Sequence, residues 1–356
     1  MTAAFSASPL SLAGYGSADA PAARRPRIAP ALLLAVLFGA VPLLANDYLF
    51  SAILVPLLVF SLAALGLNLL TGYTGQLSLG SAAFMAIGAF ATYNLALRLP
   101  QLPLLVSIAL GGGISAAVGV LFGLPSLRIK GFYLIVSTLA AQFFVQWVFV
   151  KVDWFSNHSA SGVISAPKLV VAGVSFDSPA GRYLFTLGIV AALTWFARNL
   201  VGSATGRQWR AVRDMETAAE AMGIAVLRAK LTAFAASAFY LGVAGALWAF
   251  AYLGTVEPHG FDLDRSFQIL FIAIIGGLGS IAGNFLGAAF LVLFPVLMSQ
   301  VVSLALGGAV DGGTLQNLQK VVFGALIIVF LVKEPDGLAR LVQRARDRCR
   351  AWPLRA

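Results

Sequence analysis

The apolar residues of this chain are gathered into long runs that acidic charge never interrupts, and this constrains the fold more than any other feature. Ten runs stand out: Ile28–Ala45, Phe50–Leu70, Leu77–Leu97, Pro103–Leu124, Gly131–Val150, Ala180–Ala197, Leu231–Leu253, Ser266–Gly283, Asn284–Leu304 and Leu318–Val332. None contains an Asp or Glu. Most approach the roughly 20 residues that cross a hydrocarbon core as a helix. Backbone polar groups find no water in lipid, so such segments must satisfy their hydrogen bonds internally. The expected fold is an all-α integral membrane protein with about ten transmembrane helices. Composition agrees: 60% of the 356 residues are hydrophobic and 11% are charged, where a soluble domain carries roughly 25% charged residues.

Charge placement predicts the topology. An even number of spans puts both termini on one side. With both termini cytoplasmic, 18 of the 24 basic residues fall on inner segments. They are Arg24, Arg25 and Arg27; Arg128 and Lys130; six residues between Arg198 and Lys230; and seven from Lys333 to Arg355. Six fall elsewhere: Arg98, Lys151, Lys168, Arg182, Arg265 and Lys320. This follows the positive-inside rule, so the net charge of +10 is not a nucleic-acid signal. The domain plan is a flexible cytoplasmic arm over 1–27, a permease domain over 28–332 and a basic cytoplasmic tail over 333–356. Within the permease domain, 151–179 is external, with the composition of a short hairpin or interfacial segment, and 202–230 is a cytoplasmic loop. The charges at 24–27 begin too late for a signal peptide, so the first span is expected to be retained.

Absences narrow the function. No lysine follows a glycine, so no Gly-Lys-Ser/Thr phosphate loop exists. No His-Glu-x-x-His or Gly-x-Ser-x-Gly motif occurs. One cysteine, Cys349, and two histidines, His158 and His259, leave no disulfide and no expected metal site. Spans without carboxylates argue against proton coupling, and less strongly against sodium coupling, since backbone carbonyls hold Na⁺. An enzyme is not expected. A pore or permease driven from outside the membrane remains.

The loop contains Gln208–Met222, rich in helix formers and followed by Gly223, a C-cap candidate. The spacing predicts that Arg213 faces Glu216 on one side of a helix. Ala218, Ala219 and Met222 form a smooth face suited to docking in a groove of another protein. An ordinary solvated amphipathic helix fits the same pattern.

Two uncharged, glycine-rich segments lie at the ends of spans. Thr71–Ser81 holds Gly72, Gly75 and Gly80 with Tyr73, Gln76 and Ser78. Glycine costs about 1 kcal/mol in a helix interior, so a helix break is expected here. Such a break lines a translocation path or forms a tight turn with close helix packing. Gly276, Gly277 and Gly279, followed by Gly283 and Gly287, invite the same two readings. Among polar residues inside spans, Asn68, Ser137, Thr138, Gln142 and Gln146 either hydrogen-bond between helices or line the path.

Three stretches together resemble the LivM-type permease subunit of branched-chain amino acid ABC importers. They are Arg210–Gly223 (Arg-Ala-Val-Arg-Asp-Met-Glu-Thr-Ala-Ala-Glu-Ala-Met-Gly), Leu70–Gly80 and Ile275–Gly283, and the run Lys230–Trp248 joins them. The resemblance covers about residues 50 to 335. It implies a non-enzymatic transport subunit in the bacterial inner membrane. The implied partners are a LivH-like permease, two cytoplasmic ABC ATPases and a periplasmic binding protein. It implies no cofactor bound by this chain, with ATP used by partner subunits. It places Arg213, Asp214, Glu216, Ala218, Ala219, Glu220 and Gly223 in a helix that couples to the ATPase. Two positions depart from the family pattern. Ser81 stands where a histidine is usual, and Phe155–Val163 replaces a Thr-Gly-Gly-rich segment. The implied substrate is therefore a branched-chain amino acid, or urea, a short amide or a small organic acid.

Overall fold

The computed structural model describes residues 36–126, 133–157, 159, 163–167, 169–171, 174–306, 321–322, 324–325, 328 and 337–351. They divide into a short N-terminal unit ending at Ala45 and a main unit from Asn46 onward. The N-terminal unit contains a π-helical turn, Val36–Ala40, and the short helix Val41–Leu44.

The main unit is built from helices α1 (Val55–Thr74), α2 (Ser81–Arg98), α3 (Leu104–Ser126), α4 (Tyr133–Lys151), α5 (Pro179–Gly202), α6 (Ala204–Asp214), α7 (Glu216–Ala221), α8 (Val226–Leu247), α9 (Leu263–Gly276), α10 (Ile281–Leu306) and α11 (Gly337–Ala351). Turns of π-helix extend α1 backward over Leu49–Leu54 and α8 forward over Trp248–Leu253. Side-chain caps set two of the starts. Ser178 accepts from the Gly181 N–H ahead of α5, and Asp262 accepts from the Arg265 N–H ahead of α9.

Among the described residues, six helices are long and apolar enough to cross a membrane: Leu49–Thr74, Leu104–Leu124, Leu134–Lys151, Pro179–Gly202, Val226–Leu253 and Ile281–Gln300. They correspond to six of the ten expected spans. The chain is an α-helical multi-pass membrane protein, and two expected spans need correction. Leu77–Leu97 is the 18-residue helix α2, which starts only at Ser81. Ser266–Gly283 is the 14-residue helix α9, about 21 Å long at 1.5 Å per residue, followed by a turn. Of the expected first span, 28–45, the described part is 36–45, and of the last, 318–332, it is 321–322, 324–325 and 328.

The centre is formed by α1 and α8, whose most apolar stretches are 89% and 83% buried, against 28–39% for the other four spans. α8 packs against α1, α2 and α3. Small residues permit this: a side chain at Gly88 of α2 would collide with the backbone of Gly242 of α8. Without a hydrophobic force between helices in lipid, such close approach is a principal source of cohesion. The outward faces stay apolar, with Phe143, Phe144 and Trp147 on α4, Trp195 and Phe196 on α5, and Leu297 on α10 exposed. Lipid is the medium that makes such a surface stable.

Among the described residues, the 151–179 segment holds three of four two-residue strands. β2 (Val170–Val171) and β3 (Val174–Ser175) form a hairpin, with Val170 opposite Ser175. β1 (Ile164–Ser165) pairs antiparallel with β4 (Thr255–Val256), which follows α8.

Candidate functional site

The polar segment after α5 is two helices, not the single helix expected over Gln208–Met222. α6 ends at Met215, which is extended at φ −159°, ψ 103°. Both helices bury a face. Trp209, Val212 and Ala219 are 1%, 4% and 0% exposed. Trp209 is anchored by its indole N–H, which donates to Thr232 Oγ1 on α8 at 3.1 Å.

The bend also changes the expected ion pairs. Arg213 does not meet Glu216. Arg213 pairs with Asp214 at 2.9 Å, and Glu216 pairs with Lys230 of α8 at 2.8 Å. The expected smooth face is divided as well, because Ala219 points inward and Ala218 is half-buried. The outward surface consists of Met215 (62% exposed), Met222 (70% exposed), Thr217 and Glu220. Gly223 closes α7 at φ +81°. Its N–H donates to the Glu220 carbonyl, and the Ile224 N–H donates to the Ala219 carbonyl. This double bond pattern requires a left-handed residue, for which glycine is the least strained choice.

The two glycine-rich segments meet α6 at one place. α1 runs through Gly72 and Tyr73 to Thr74 and stops at Gly75, φ +71°. The free Gly72 carbonyl accepts from Arg213 Nη1 at 2.9 Å. A side chain at Gly75 would press on Arg213 Cγ at 3.2 Å, and one at Gly72 would collide with Asn68 Oδ1 and the Gly279 nitrogen. Asn68 holds the second segment in place. Its Oδ1 accepts from the Gly279 N–H at 2.8 Å, and its Nδ2 donates to Asn284 Oδ1 at 2.9 Å and to the Ser280 carbonyl at 3.2 Å. Gly277 and Gly279, both at positive φ, form the turn from α9 to α10. Gly276 and Gly283 lie so close that a Cβ on either would strike the other's carbonyl. Gly337, which opens α11, lies against Gly277. These glycines therefore serve turns and backbone approach. Asn68 is the residue that sequence reasoning had only as one polar residue among five.

Between Gly75 and Ser81 the chain is not helical. It starts beside Arg213 and Gly279 at one end of α9 and finishes near the other end, where Ser266 Oγ accepts from the Ala82 N–H at 2.8 Å. Six extended residues reach roughly 20 Å, which matches the length of α9. Irregular backbone at this depth is tolerated only inside protein or along a wet cavity. Side chains alternate along it: Gln76, Ser78 and Gly80 are buried, while Leu77 is exposed and Leu79 half-buried.

The start of α2 is already satisfied: Gln142 Oε1 accepts from the Ala83 N–H at 2.6 Å, and Ser78 Oγ accepts from the Gly80 N–H at 3.3 Å. Gln142 also donates to the Phe261 carbonyl at 2.9 Å. It acts as an interhelical fastener. Both amide atoms of Gln76 and the Ser81 hydroxyl, in contrast, are buried without a partner among the described residues. Buried polar groups left unpaired cost about 1–3 kcal/mol each, and this strip leaves its donors and acceptors open to water or a polar solute.

A separate cavity of about 500 Å³ lies between α2, α3 and α4, lined by Phe90, Phe122, Phe144 and Phe149 with Asn94 and Arg98 at its rim. Its walls are apolar and suit hydrocarbon, not a polar solute. Among the described residues no cluster of His, Cys, Asp or Glu fits a metal ion.

Residues 49–331 match the model of a family described as branched-chain amino acid transport system, permease component. The chain is 30% identical over 304 residues to the high-affinity branched-chain amino acid transport system permease protein LivM of Salmonella typhimurium, covering 79% of this chain and 68% of the relative. It is 29% identical to the LivM protein of Escherichia coli over the same shares. A more distant relative, 22% identical over 73% of this chain and 72% of its own, is the nucleoside ABC transporter permease protein NupB of Lactococcus lactis. Related permeases thus handle other solutes. No solved structure matches the chain. The matched region contains α1 through α10 with the Arg213–Gly72–Gly279 junction, and the chain belongs to the family of branched-chain amino acid transport permease components.

Proposed function

We propose that this chain is the membrane-spanning permease subunit of an ATP-driven importer. It has about ten spans and cytoplasmic termini, resides in a bacterial inner membrane, and works with a LivH-like permease, two ABC ATPases and a periplasmic binding protein. It binds no cofactor of its own; ATP is used by the partner subunits. Its substrate is a branched-chain amino acid or a related small polar solute. The observation that carries this reading is the hydrogen bond from Arg213 on α6 to the Gly72 carbonyl, at the helix break.

In this mechanism the ATPase seats against Met215, Glu220 and Met222 on the outward face of α6–α7. Trp209, Asp214 and the Glu216–Lys230 pair keep the helix pair rigid against the membrane helices. A push on the pair is then transmitted by Arg213 to the end of α1 and the Gly277–Ser280 turn. These border the Gln76–Ser81 strip, where unpaired polar atoms offer partners to a solute.

The test is uptake in proteoliposomes containing the chain with its proposed partners. Uptake is expected only with ATP inside and all subunits present. Transport by the purified chain alone would overturn the reading. The binding protein encoded beside it is expected to be stabilised by leucine, isoleucine or valine. The unusual Ser81 and the nucleoside-transporting relative favour one alternative. If stabilisation comes only from urea, amides or organic acids, the substrate changes and the machine stays.

A further inference from the structure

Arg265 and Trp248 form a second polar feature at the far end of α9 from the Arg213 junction. The Arg265 guanidinium lies 4.6 Å from the centroid of the Trp248 ring and 5.5 Å from that of Phe60. Both rings are buried, at 3% and 4% exposure. Arg265 Nη1 donates to Gln268 Oε1 at 2.9 Å. Two further donors, Arg265 Nε and Trp248 Nε1, are buried with no acceptor among the described residues. Asp262 and Asp264 are near enough to act on the guanidinium charge, yet neither closes an ion pair with it among the described residues. The Asp262 carboxylate is engaged instead in capping α9.

A guanidinium held over two aromatic faces is oriented and partly stripped of water. With its side N–H and a neighbouring indole N–H unfilled, it presents the donor set that a planar carboxylate satisfies. Its place also fits. Ser266, the next residue, binds the start of α2, so Arg265 stands at the head of the strip that leads from Ser81 past Gln76 to Gly75. An imported solute would enter at the end opposite the helix pair α6–α7.

We propose that Arg265 and Trp248 form an entry site for the carboxylate of the transported solute, which makes this permease selective for acids and zwitterions over neutral solutes. The proposal rests on the permease reading and narrows it, setting carboxylate solutes apart from urea and amides.

The test is saturation-transfer NMR on the full chain in lipid nanodiscs, with leucine and benzoate as probes and leucinamide and benzamide as neutral-headed controls. Both acids are expected to bind more tightly than their amides. Arg265→Gln is expected to weaken acid binding about tenfold or more, the loss of a charge-assisted bond, and to leave the amides unchanged. Trp248→Phe keeps the aromatic face, removes one donor and is expected to weaken acid binding about threefold. If Arg265→Gln does not insert, Trp248→Phe decides. Acids binding no better than amides, no binding of either acid, or undiminished acid binding in the variants overturns the proposal. The measurement needs no ATPase, so its failure is distinct from a failure of ATP-driven uptake.

Discussion

Arg213 Nη1 and the Gly72 carbonyl are joined at 2.9 Å across 141 residues of sequence. The bond ties the polar helix pair to the end of a central membrane helix. Helix ends leave carbonyls without intrahelical partners, and a guanidinium is a strong donor to one of them.

Removing that donor is expected to uncouple the two regions. Arg213→Ala loses a charge-assisted bond worth about 1.5–3 kcal/mol. Uptake by the assembled transporter should fall at least about tenfold, while the ATPase still copurifies. Arg213→Lys, with a point charge and no fork, should fall in between. Wild-type uptake in Arg213→Ala would show that the bond transmits nothing.

Glu216→Lys sets two cations against each other at the Lys230 position, where the native pair is 2.8 Å apart. We expect α7 to lift, seen as faster proteolysis near Met215, with uptake lost and membrane insertion intact. The exchanged pair Glu216→Lys with Lys230→Glu should recover part of the uptake. Equal loss in the single and double variants would mean that the charges act separately.

Two glycines should respond differently to the same substitution. Gly72→Ala drives a methyl group into Asn68 and the Gly279 backbone. Overpacking of this kind costs about 1–3 kcal/mol or more, and a clear drop in melting temperature is expected. Gly223→Ala meets open space and suffers only the positive-φ penalty, about 1 kcal/mol. If both variants melt alike, crowding at Gly72 is not what fixes the residue.

The exposed methionines offer a test of docking that leaves the fold alone. Met222→Glu, at a side chain 70% exposed, should leave thermal stability within about 0.5 kcal/mol. It should nonetheless weaken ATPase association, read by copurification. Unchanged association would move the docking face elsewhere on the helix pair.

Much of this was legible before any coordinates. Long acid-free apolar runs dictate membrane helices, because lipid offers the backbone no other partner. Glycine density marked the breaks at Gly75 and Gly277–Gly279, since those positions need φ values that side chains resist. Gly223 was readable as a cap for the same reason. These are local rules, and they act within a few residues.

What the sequence could not reveal was settled by contacts between distant segments. The break at Met215 lies between two helices that each bury a face, at Trp209 and at Ala219, and no local propensity marks it. That bend redirected Arg213 from Glu216 to Gly72 and gave Glu216 to Lys230. Asn68 became the fastener of a turn more than 200 residues away, and the expected span Ser266–Gly283 proved to be a 14-residue helix followed by a turn. Hydropathy and spacing determine which segments become helices; only tertiary packing decides which unpaired carbonyl, amide or cation each one meets.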